Sequence, residues 1–131
     1  MKRPMKRRSR LSLSLVFLAG LASADGEGVP PPRAGGQAVA TCGHSFHVFT
    51  YRQVGEMALA AGLPHRYAGL SSIGGSTVKR HWDVPEDQSK VKQALKAGGV
   101  DVLTLSPIWL PDEGIEKFVT YGLGHCPDLR I

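Results

Sequence analysis

The chain has 131 residues and a formal charge of +5, but six of its sixteen basic residues (Lys2, Arg3, Lys6, Arg7, Arg8 and Arg10) crowd into the first ten positions. Without them, ten basic residues face eleven acidic ones, so the rest of the chain carries about one net negative charge and no basic patch that would suit a nucleic acid. The length allows one domain at most, and two distant cysteines, Cys42 and Cys126, exclude a disulfide framework.

The basic head "MKRPMKRRSR", the short apolar run "LSLSLVFLAGLA" and the small-residue stretch "ASA" read as a signal peptide over residues 1–24, cleaved after Ala24. The apolar run is too short and too serine-interrupted for a membrane anchor, so the expected destination is the periplasm or the exterior, without stable membrane insertion. "DGEGVPPPRAGG", residues 25–36, has the composition of a flexible linker. The folded domain is expected over 37–131. Both cysteines are expected as free thiols, with a bond between them as the alternative in an oxidising compartment.

"QAVATC" is short, apolar and followed by glycine, which predicts a buried strand. Phe46, Phe49, Val54, Met57, Ala58 and Ala61 then share one helical face, until Gly62 and Pro64 stop the helix. "HRYAGL" is a second strand candidate, and "SSIGGST" a glycine-bearing loop. Asp83, with Pro85 and Glu86 behind it, predicts the start of a second helix with Val91, Ala94 and Leu95 as its apolar stripe. Lys90, Lys92 and Lys96 form its expected solvated face, and Gly98 and Gly99 end it. "VDVLTL" is the clearest strand. A third helix starts near Pro111 and carries Ile115, Phe118, Val119 and Leu123, and "DLRI" has the pattern of an opening strand. Strands alternating with helices predict a parallel sheet covered by helices, with ligands held at the carboxyl ends of the strands.

Three segments fall at those ends: "GHSFH", "SSIGGST" and "SPIW". Ser45 would lie just past the first strand, near a helix N-terminus whose N–H groups favour a developing oxyanion. Gly74 and Gly75 would let backbone amides approach a substrate closely. The ordinary alternative is that Ser45 caps the helix and the glycines turn the chain.

"GHSF" after the first strand resembles the G-D/N-S motif of the SGNH (GDSL-like) hydrolases, and "SIGGSTVKRHW" is similar to their second block. The resemblance spans about Gln37 to Ile131. It implies an α/β fold, a flavodoxin-like three-layer α/β/α sandwich with a parallel sheet, incomplete at its carboxyl end. It also implies hydrolysis of a small-molecule or carbohydrate ester through an acyl-enzyme, with no cofactor and no metal. Carried over by position, Ser45 is the nucleophile, and the N–H groups of Ser45 and Gly75 form the oxyanion hole. His44 stands where the family often has Asp and would orient local hydrogen bonds. Ser106 lies where the family's third block, G-x-N-D, is expected and is the candidate donor there. His81, on a short helix after the second block, belongs to the packing or rim of the cleft.

The family's D-x-x-H block has no counterpart, and a serine without a base is a poor nucleophile. His44 and His47 are too near Ser45 in sequence to reach its hydroxyl with good geometry. The chain therefore reads as the amino-terminal portion of a longer hydrolase, or as a shortened non-catalytic relative. Two other readings compete: a secreted binding protein of the same fold, with Trp82 and Trp109 stacking on sugars, and a metal site on the C-x-H-x-x-H of Cys42, His44 and His47.

Overall fold

The computed structural model describes residues 35–131; the stretch read as a signal peptide and most of the stretch read as a linker lie outside them. Three strands form one sheet: β1 (Gln37–Gly43), β2 (His65–Ser72) and β3 (Val102–Leu105), in the order β2-β1-β3 with every pairing parallel. Four helices alternate with them: α1 (Val48–Ala60), α2 (Val78–Trp82), α3 (Lys90–Lys96) and α4 (Glu113–His125). The α/β class expected from the alternation is therefore present. None of these helices is long and apolar enough to cross a membrane.

Side chains alternate across a strand, and β1 uses that alternation to meet different helices. Ala38, Ala40 and Cys42 are buried; Ala40 and Cys42 join Val78 of α2, Val91 and Leu95 of α3, Leu103 of β3 and Phe118 of α4 in the core. The intervening positions serve α1: Tyr51 Oη donates to Val39 O, and the His47 ring packs on Gly43. Thr41 and Thr104, in register on β1 and β3, share a 2.8 Å hydrogen bond between their hydroxyls. Glycines on both sides let β2 and the helices approach closely. A Cβ on Gly69 would collide with the backbone of Lys90, and one on Gly55 of α1 would overlap the Tyr67 ring.

The strands, the last helix and the glycine stops follow the sequence pattern. Elsewhere packing overrides it. Asp83 does not open the second helix; it ends α2, its N–H donating to Lys79 O. α3 starts instead at Ser89, whose hydroxyl accepts the Lys92 N–H. Lys92 leaves the expected solvated face and is buried, with Nζ donating to the carbonyls of Trp82 and Val84 (2.8 Å for the latter). Nζ also lies 4.4 Å from the Trp82 ring centre.

The apolar face expected of the first helix is largely open to solvent: Phe46 precedes α1 and is 83% exposed, and Met57 is 71% exposed. Ser71 and Ser72 belong to β2, not to the loop that follows it. "DLRI" contributes one parallel bridge, Arg130 to Val102, beside β3.

Candidate functional site

The carboxyl ends of β1, β2 and β3 release three neighbouring loops. Hydrogen bonds tie them at their roots: Ile73 N donates to Gly43 O at 3.3 Å, and Ser106 N to Cys42 O at 3.1 Å. His44 of the first loop and Ser106 of the third come into contact. His44 Nε2 lies 3.1 Å from Ser106 Oγ, and its Nδ1 accepts the Phe46 N–H at 3.3 Å. An Nδ1 that accepts leaves the proton of a neutral ring on Nε2, so His44 donates to Ser106.

Ser45 follows His44 in the chain, is exposed, and its hydroxyl has no hydrogen-bond partner among the described residues. Its ordinary role is not the one realised. His47 holds the N-cap position of α1 without a side-chain cap, and the turn is closed by His44 O accepting from His47 N and Val48 N. Gly74 and Gly75 are exposed in the second loop. Gly75 adopts φ +59, the left-handed region that favours glycine, and neither glycine has a neighbour where a Cβ would project. No hydrogen bond joins Ser45 and Gly75.

The histidines divide among other partners. His47 Nε2 lies 3.1 Å from Thr104 Oγ1, which continues to Thr41. Burial, and then the charge of His44, push its pKa below the ordinary imidazole value. His81 is fully buried between Ser71 and Ser76, 2.7 Å from each hydroxyl. Burial lowers its pKa, and so do Arg80 and His44, while Asp112 opposes them. His125 Nδ1 lies 2.9 Å from Tyr121 O on α4. No histidine is therefore bonded to Ser45.

The C-x-H-x-x-H spacing does not converge. Cys42 is buried in the core, where desolvation pushes its thiol up to about 12, while His44 and His47 engage Ser106 and Thr104. Both cysteines are free thiols, as their sequence context suggested. Trp82 packs inward, edge-on to Phe118 and Tyr121 at 5.2 and 5.7 Å, with Lys92 near its face. That leaves it unsuited to stack on a sugar. Trp109, in the third loop, is 67% exposed.

Sequence reasoning missed Ser71, Ser76 and Asp112. The Asp112 carboxylate accepts from Val78 N at 2.6 Å, Lys79 N at 2.9 Å and Gly114 N at 3.0 Å, so it caps α2 and α4 together. One local signal was present: Thr77 three residues before Arg80, with Val78 and His81 one turn apart, marks a short helix that buries a histidine. Compared with protein-family models, curated proteins and solved structures, the chain matches none.

Proposed function

We propose that the chain carries the nucleophile-bearing part of an exported SGNH-type serine ester hydrolase, built on a flavodoxin-like three-layer α/β/α sandwich. The observation that supports this most is the exposed, unpartnered hydroxyl of Ser45 at the carboxyl end of β1, beside the His44–Ser106 hydrogen bond.

In this reading Ser45 Oγ attacks the carbonyl carbon of a small or carbohydrate ester, and the N–H groups of Ser45 and Gly75 receive the oxyanion. The serine proton passes by way of water to the leaving oxygen as the tetrahedral adduct collapses, so that the alcohol departs and Ser45 is left acylated; water then adds to the acyl carbon, releases the acid and returns a proton to Ser45. Ser106, held by His44, lines the same rim as a substrate donor. The serine proton has no histidine to receive it among the described residues: His44, His47, His81 and His125 are bonded elsewhere, and His65 stands at the amino end of β2, away from the loops that follow the strands. General-base assistance contributes about 10²–10⁴-fold to such reactions, so this chain by itself acylates slowly.

The test is p-nitrophenyl acetate applied to the full chain and to Ser45→Ala, followed by intact-mass analysis. Slow acetylation confined to Ser45 is expected, with turnover close to background. Fast turnover abolished in Ser45→Ala would refute the missing base. Absence of any acetyl-Ser45 would refute the nucleophile. That last result would leave the second reading, a non-catalytic binding protein of the same fold, which the lack of a base at Ser45 favours.

A further inference from the structure

Ser71, His81 and Ser76 form a continuous hydrogen-bonded chain under the second loop. His81 Nδ1 lies 2.7 Å from Ser71 Oγ, His81 Nε2 lies 2.7 Å from Ser76 Oγ, and Ser76 Oγ donates to Ile73 O at 2.8 Å. A carbonyl only accepts, so the single hydroxyl proton of Ser76 goes to Ile73. His81 Nε2 must then be protonated and donate to Ser76. In the neutral ring that leaves Nδ1 as an acceptor, and the Ser71 hydroxyl donates to it. This one arrangement of protons satisfies every member of the chain.

An apolar side chain would fill the same space without the cost of desolvating a polar ring. What the imidazole adds is two opposite roles on one rigid ring, acceptor to a strand and donor to a loop. Ser71 is on β2, opposite Cys42 of β1, and is fixed by the sheet. His81 is fixed by α2, whose first N–H groups are held by Asp112 and whose N-cap is Thr77. Ser76, 1% exposed, is thereby pinned, and it closes the turn back onto Ile73. The segment between those anchors is Gly74–Gly75, whose Cβ positions face open space. The two glycines depend on their ends for their place.

We propose that His81 is a positioning residue: as the neutral Nε2–H tautomer it clamps Ile73 to Ser76 and so presents the Gly74–Gly75 amides to the oxyanion. This assignment rests on the hydrolase reading of that loop. The charged and titratable groups that act on the ring are Arg80 on its own helix, Asp112 at the start of α4 and His44 in the first loop.

The experiment uses the full chain, His81→Leu, His81→Gln and Ser76→Ala. Three quantities are read: the ring nitrogen shifts of His81, amide exchange at Gly74 and Gly75, and the rate at which a fluorophosphonate labels Ser45. In that labelling Ser45 Oγ bonds to phosphorus, fluoride leaves and the serine proton passes to water. The native ring should be neutral and protonated on Nε2 at pH 7.5. His81→Leu should speed exchange at both glycines and slow labelling by up to about a hundredfold, the effect of an ångström-scale misplacement. His81→Gln, whose side-chain amide can still donate to Ser76, should recover most of both. If His81→Leu fails to fold, Ser76→Ala carries the same expectation, since it removes only the loop end of the chain. A ring protonated on Nδ1, or equal behaviour of the Leu and Gln variants, would overturn the assignment. Should the native chain resist labelling at Ser45, the hydrolase reading falls instead; unchanged glycine exchange in Ser76→Ala would then overturn the clamp independently.

Discussion

Gly114 of α4 lies directly against the backbone of Val78, so that a Cβ at position 114 would collide with main-chain atoms of Val78 and Lys79. Two residues earlier, the Asp112 carboxylate accepts the Val78 N–H. The two features make one joint, in which α2 hangs from the start of α4. Alanine is favoured over glycine inside a helix by about 1 kcal/mol. At position 114 that gain is outweighed, because overlap with backbone costs about 1–3 kcal/mol or more. Gly114→Ala should therefore destabilise the fold. Gly124→Ala, on the same helix with nothing within reach of its Cβ, should be stabilising by about 0.5 kcal/mol or more. Asp112→Ala should cost about 2 kcal/mol, since it removes the caps of two helices. Urea denaturation of the three variants checks the signs; a stabilising Gly114→Ala would show that the joint is loose.

Most of this joint was invisible in the sequence, for a physical reason. β1 and β3 declare themselves as short apolar runs, and α4 by apolar residues that recur at the helical period. α2 has five residues, too few for a period, and its strongest cap is a carboxylate thirty-four positions away from Val78. Asp83, Pro85 and Glu86 carried a convincing local start signal, yet Pro85 and Glu86 form a turn whose carbonyls accept from Gln88 and Ser89 before α3 begins. The reverse happened at α1, where a clear apolar face is present and only Gly55 is fully buried. At the site, His44, Ser45, Gly75 and Ser106 could be placed on their loops from strand ends alone. Ser71 could not, because its strand runs two residues further than its composition suggests.

Lys92 separates from the lysines beside it. Its Nζ donates to Trp82 O and Val84 O and sits near the Trp82 ring, tying the end of α2 to α3. Burial lowers its pKa, with Glu86, Asp83 and Cys42 opposing. Lys92→Met keeps the aliphatic stem but leaves two carbonyls without their donor, at a cost of about 1–3 kcal/mol. Lys96→Met removes only the exposed contact with Glu86, worth about 0–1 kcal/mol. Thermal unfolding of the pair should show a clearly larger drop for Lys92→Met; equal drops would mean that the buried ammonium contributes no more than a surface charge.

Cys42 and Cys126 should be chemically silent in the folded chain. Burial raises the Cys42 thiol to about 12, so almost none is thiolate at pH 8, and the thiolate is the reactive form. Cys126 is also buried, with Sγ 3.4 Å from Leu95 O as a donor. Iodoacetamide at pH 8 should modify neither residue in buffer and both in concentrated guanidinium without reductant. A requirement for reductant before the second result appears would show a disulfide in place of the two thiols.

The His81 ring gives the fold a dependence on pH whose sign is fixed by its surroundings. Burial first, then Arg80 and His44, hold its folded pKa below the ordinary value of 6.5, while Asp112 works against them. As pH falls through 6.5 the unfolded chain takes up the proton before the folded one does, so unfolding becomes easier. The contribution is fully present above pH 6.5 and is lost as pH falls through the folded value. His47, lowered by burial and by His44, acts in the same direction. Glu86, at the tie between α3 and α4, is pulled below its ordinary 4.5 chiefly by its hydrogen bond with Lys96, away from the range in which His81 titrates. Urea midpoints between pH 7.5 and 5.0 should therefore decline for the native chain and decline less for His81→Gln, which cannot take up the proton. Parallel curves for the two proteins would show that His81 does not titrate differently in the folded and unfolded states.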